Sequence, residues 1–189
     1  NKFMKFLLAF FLIWTMSYHI YAEKHFEPQK GNVFIIDNFE DGDLAVNPRW
    51  WIFDKIKVSD QSNNKLEFEY LENKSLEMTG HPKNWYIGGM GTYLGIDTFK
   101  YSAIKLLVRG YGDKSGVLII ELFDDDNNNW IIEPHPKISS ETLADDKFIH
   151  TLNIDWVGWK VIIIPFTKFV DANLDIGDDK WNPYQDNNS

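Results

Sequence analysis

Oxygen-bearing side chains crowd one short stretch, Ile35-Ile36-Asp37-Asn38-Phe39-Glu40-Asp41-Gly42-Asp43. Hard cations such as calcium gather six to eight oxygens from groups of this kind, so Asp37, Glu40, Asp41 and Asp43 are candidate ligands of a structural calcium. The bland reading is a solvated acidic turn, since Asp and Asn close turns through their own side chains. Both readings stand on the sequence. Two further acidic stretches carry less. Asp171-Ala172-Asn173-Leu174-Asp175 alternates oxygens like an EF-hand loop, but Ile176 stands where that loop needs glycine. Asn182 stands where it needs a bidentate Glu. Asp124 to Asn129 reads as the polar tip of a hairpin.

A second chemistry open to this chain is sugar recognition. A glycan ring offers an apolar CH face and a rim of hydroxyls, so its site needs flat aromatics for area and amide, carboxylate or guanidinium groups for orientation. Arg109 is the sharpest polar candidate: Ile104, Leu106 and Val108 alternate toward a core, and Arg109 points the other way. A guanidinium there forks onto sugar hydroxyls or pairs with a carboxylate. Tyr86, Tyr93, Tyr111, Trp130 and Trp156 are the candidate stacking aromatics, whereas Trp50, Trp51 and Trp159 open apolar strands and are expected in the core.

Catalysis finds little support. There is no cysteine, and neither a G-x-S-x-G elbow nor an H-E-x-x-H helix occurs. His81, His135 and His150 lack ligand spacing, and the abundant acids fall mainly in turns. The chain is therefore expected not to be an enzyme.

The elements that must position these residues are strands. Lys65 to Leu71 alternates polar and apolar, the pattern of a half-buried strand. Trp50 to Val58 reads as one strand followed by a turn at Ser59 to Asn64. Ile104 to Arg109 and Val117 to Phe123 read as neighbours joined across Gly110 to Gly116. Trp130 to Glu133, Phe148 to Ile154 and Trp159 to Pro165 complete the set, the last ended by a proline that lacks an amide hydrogen. Helical periodicity is weak and confined to Ser139 to Asp145. Many short strands at regular spacing predict an all-β sandwich or barrel.

In this order, Ile36-Asp37-Asn38-Phe39-Glu40-Asp41-Gly42, Trp50-Trp51, Val108-Arg109-Gly110, Glu121-Leu122-Phe123-Asp124-Asp125 and Gly158 to Phe166 resemble the galactose-binding-like jelly rolls. The resemblance is nearest to carbohydrate-binding module family 11 and the complex I intermediate-associated protein 30 domain. It implies a jelly-roll β-sandwich, a structural calcium at the first-strand turn, and a cleft beside the late aromatic strand. Domains of that group continue past an acidic loop into one or two more strands. With this sequence stopping at Tyr184 to Ser189, the resemblance implies a domain lacking its last strand or strands.

Lys2 and Lys5 precede the apolar run Phe6 to Trp14 and a small residue at Ala22, which reads as a secretory signal peptide over 1–22. That run is about half the ~20 residues of a membrane-spanning helix. Residues 23–32 then form a linker and 33–189 the sandwich, in an exported protein, periplasmic or extracellular. Loss of residues 1–22 removes two lysines and no acid, taking the formal charge from −9 to −11. A basic stripe for nucleic acid is absent. With 14 Phe, 8 Trp and 8 Tyr, aromatics suffice for a β core and for a stacking surface besides. The expected partner is a polysaccharide or glycan, with no nucleic acid and no membrane span; a protein-interaction or assembly domain and a fragment of a secreted glycoside hydrolase are the alternatives. Oligomeric state is not legible.

Overall fold

The computed structural model describes residues 4–14, 33–46, 48–54, 57–62, 74–80, 86–96, 98–127, 131 and 145–182. The fold is all-β, with every pairing between its strands antiparallel and no α-helix among the described residues. The described residues form eleven strands: β1 (Met4–Trp14), β2 (Val33–Asp37), β3 (Trp50–Asp54), β4 (Lys57–Ser62), β5 (Lys74–Gly80), β6 (Gly88–Thr92), β7 (Ala103–Tyr111), β8 (Gly116–Asp124), β9 (Asp146–Ile154), β10 (Val157–Pro165) and β11 (Val170–Asp171). A six-stranded sheet has the order β10-β7-β1-β5-β4 with β2 pairing onto β1; a three-stranded sheet is β11-β9-β8; β3 and β6 form a third, two-stranded sheet.

One core lies between the large and the three-stranded sheets. Leu76 and Met78 of β5 and Ile104, Leu106 and Val108 of β7 meet Ile120 of β8 and Phe148 and Ile154 of β9 in a single buried cluster. Period-two alternation produces this, because successive side chains of a strand point to opposite faces. Phe166 and Phe169, in the 3-10 turn that follows Pro165 and just beyond it, close one end of the cluster with Trp181.

Several sequence readings change. Trp50 to Val58 is two strands in different sheets, and the expected turn at Ser59 to Asn64 is largely β4. β7 and β8 are consecutive but belong to opposite sheets, so the Gly110 to Gly116 segment crosses the sandwich and does not close a hairpin. A physical cause is visible: Gly112 N–H donates to Trp156 O at 2.7 Å and Tyr111 N–H to Ser115 Oγ at 2.6 Å, turning the chain out of the sheet. Gly110 is required there because a Cβ would run into the Trp156 carbonyl. The segment read as the apolar core of a leader is laid down as β1, between β7 and β5. Lys65 to Leu71, Trp130, and residues 139–144 of the weakly helical stretch lie outside the described residues. No helix among the described residues is long and apolar enough to cross a membrane.

Candidate functional site

The first-strand turn uses its acids as latches. Asp37 is buried at the end of β2, its Oδ1 accepting Phe39 N–H at 2.6 Å and its Oδ2 accepting the Trp50 indole N–H at 2.6 Å. The first bond holds Phe39 in a left-handed conformation, φ +60°, while its ring goes into the core; the second ties β2 to β3. Burial pushes the Asp37 carboxyl above its ordinary range, opposed by the bonds from Trp50 and Phe39. Both Glu40 oxygens accept Lys74 N–H at 3.2 Å, joining the turn to β5. Asp41 and Asp43 each accept an amide two residues on, at 3.0 and 2.8 Å, the Asx-turn geometry that needs no ion. The four candidate calcium ligands thus direct oxygens to N–H groups of three separate neighbourhoods, and they do not form one of the convergent carboxylate groups found among the described residues.

An exposed apolar surface lies on β3–β6. Trp51 pairs with Gly91 and Phe53 with Gly89 across the two strands. Each ring lies over its glycine: a Cβ built on Gly91 would sit 2.6 Å from Trp51 Cζ2, and one on Gly89 2.6 Å from Phe53 Cζ. Glycine in a strand marks such close approach. The opposite ring faces stay open, with Trp51 44% and Phe53 47% exposed. Two residues apart on one strand, they share a face and stand about 6.6 Å from each other along it. Tyr86 and Tyr93, both exposed, flank β6 at either end. Expecting Trp51 in the core was therefore wrong. The missed signal was Gly88-Gly89-Met90-Gly91, whose alternate glycines leave room for rings on a neighbouring strand.

A second surface is the outer face of β7 and β10. Register places Trp159 directly opposite Arg109, Val157 opposite Tyr111, Val161 opposite Leu107 and Ile163 opposite Lys105, and opposed residues share a face. This face is the reverse of the one carrying Ile104, Leu106 and Val108, as the alternation of β7 predicted. The Arg109 guanidinium lies over the Tyr111 ring, 5.3 Å from its centroid, a cation–π contact. Among the described residues no carboxylate pairs with the half-buried Arg109. Trp159, half-buried beside it, is not part of the core cluster, again against expectation. Trp156, half-buried, packs on the core and donates its indole N–H to Val108 O at 3.3 Å, while the Lys160 ammonium lies over its ring, 4.8 Å from the centroid. Trp50, expected in the core, packs there.

Among the candidate stacking residues, then, Tyr86 and Tyr93 fall with Trp51 and Phe53, Tyr111 falls with Arg109 and Trp159, and Trp130 lies outside the described residues. Comparison of the chain with protein-family models, with curated proteins and with solved structures finds no match in any of the three.

Proposed function

We propose that this chain is an exported, non-catalytic carbohydrate-binding module that stacks the rings of a polysaccharide or glycan on Trp51 and Phe53. The observation that supports this reading is the pair of open ring faces seated on Gly91 and Gly89. Sugar rings bind by area on such faces and by hydrogen bonds at their rims. Tyr86 and Tyr93 supply hydroxyls next to the platform, and the Arg109–Tyr111–Trp159 face offers a second, cationic subsite for hydroxyl recognition.

Affinity electrophoresis in a soluble β-glucan, with circular dichroism as folding control, is the test. Wild type is expected to be retarded. Trp51→Ala and Phe53→Ala each remove a stacking face, and truncating a hot spot costs about 2 kcal/mol, roughly 30-fold in affinity. Gly89→Ala leaves both aromatic residues in place but forces the Phe53 ring aside, so it should also release the protein from the gel matrix. Arg109→Ala and Tyr111→Ala report on the second face. Folded wild type that runs freely on every glycan tried would sink the reading and favour a protein partner for these surfaces.

A further inference from the structure

A second acidic assembly lies at one end of the three-stranded sheet, where the start of β9 meets residues from the acidic stretches that follow β8 and begin at β11. Asp126, Asp146 and Asp178 bring carboxylate oxygens within 4.8 Å of one another, and so do Asp146, Asp171 and Asp179. Asp146, common to both groups, opens β9. Its side chain is completely buried, 0% exposed. Its Oδ2 accepts Lys180 N–H at 3.1 Å, while its Oδ1 has no hydrogen-bond partner. Asp171 Oδ2 is likewise buried with no hydrogen-bond partner.

A buried carboxylate oxygen with nothing donating to it is costly, and native proteins resolve such groups with a proton, a donor or a cation. The surrounding architecture concentrates the oxygens. Gly177 approaches so closely that a Cβ there would collide with both Asp146 Oδ1 and Asp126 Oδ2, so these two oxygens face the same point. Asn173 fastens the loop to β9, accepting Lys147 N–H at 2.7 Å and donating to Asp145 O at 2.9 Å. Asn182 N–H donates to Asp124 Oδ2 at 2.8 Å. Among the described residues, the ammonium paired with these five aspartates is that of Lys180, on Asp178 at 3.2 Å.

We propose that Asp146, together with Asp126, Asp171, Asp178 and Asp179, binds a calcium ion that pins the loop after β11 to the start of β9. Calcium sits 2.3–2.6 Å from each oxygen and tolerates irregular shells of six to eight, which suits two groups of three carboxylate oxygens, each group within 4.8 Å, that meet at Asp146. A divalent cation offsets negative charge that, among the described residues, is otherwise met by the Lys180 ammonium on Asp178. The site is independent of the glycan surfaces, with which it shares no residue.

Isothermal titration of calcium chloride into the chelator-treated full chain tests the assignment, followed by thermal melting with and without calcium. One calcium per chain is expected, with a melting temperature raised by roughly 5 to 10 °C at a hundredfold excess over the dissociation constant. Asp146→Asn should weaken binding at least tenfold, whereas Glu40→Gln and Asp41→Asn should bind as wild type. If Asp146→Asn does not fold, the double variant Asp171→Asn, Asp179→Asn carries the same expectation. Absence of binding heat in wild type, wild-type affinity in the basin variants, or loss of binding in Glu40→Gln would each overturn the proposal.

Discussion

At the scale of single residues, Asp37 illustrates how a carboxylate can serve the fold without a ligand. It accepts two short bonds at 2.6 Å, one from the backbone of Phe39 and one from the indole of Trp50. Asn at this position can still accept the Phe39 amide, but its amide nitrogen would then face the indole N–H, donor against donor. Asp37→Asn is therefore expected to destabilise the protein by about 1–3 kcal/mol, the cost of a buried group left unsatisfied. Urea denaturation measures it, and an unchanged midpoint would show that the indole bond contributes nothing. The residue type was legible in the sequence, as was its place at a strand end. Whether its oxygens meet N–H groups or a cation was not, since that depends on Trp50 and Phe39 being folded back onto it. The converse holds for Asp146. It lies in no recognisable motif, and only the pairing of β9 with β8 on one side, which sets Asp124 opposite Asp146, and with β11 on the other gathers the acids around it.

At the scale of elements, alternation made β7, β9 and β10 readable, because alternate side chains of each face the core, as Ile104, Leu106 and Val108 do in β7. β6 was not readable: Gly88 to Thr92 carries one apolar side chain, Met90, and exists as a strand through its partner's rings. The place of β1 was also unreadable, since an apolar run after two lysines has the same composition in a leader and in a central strand. Its position has a consequence. β1 pairs with β7 along one edge and with β5 along the other, so cleavage after Ala22 would take away a strand and expose two facing edges, which invite pairing with another chain. N-terminal sequencing of exported protein is expected to give Glu23. The 23–189 chain is then expected to melt lower than 1–189 and to self-associate in light scattering. A monomeric 23–189 chain with the melting temperature of 1–189 would show that β1 contributes nothing to the sheet.

At the scale of the whole molecule, charge and stacking make separable demands on a partner. The formal charge is −9, which repels polyanions and attracts basic surfaces over a Debye length of ~10 Å at 0.1 M salt. A neutral glucan held by Trp51 and Phe53 answers to area, not to charge, whereas a protein partner chosen by this acidity would answer strongly to salt. Retardation in a neutral β-glucan gel is therefore expected to be the same at low and high sodium chloride. Chelation adds an orthogonal axis. The rings sit on β3 and β6, and the acidic basin on β8, β9 and the loop after β11. Sites without shared partners behave additively, so chelator should lower the melting temperature while leaving glucan affinity intact at temperatures where the protein is still folded. Glucan affinity lost together with calcium, well below the melting transition, would mean that the basin shapes the sugar surface and that the two sites are coupled through the core.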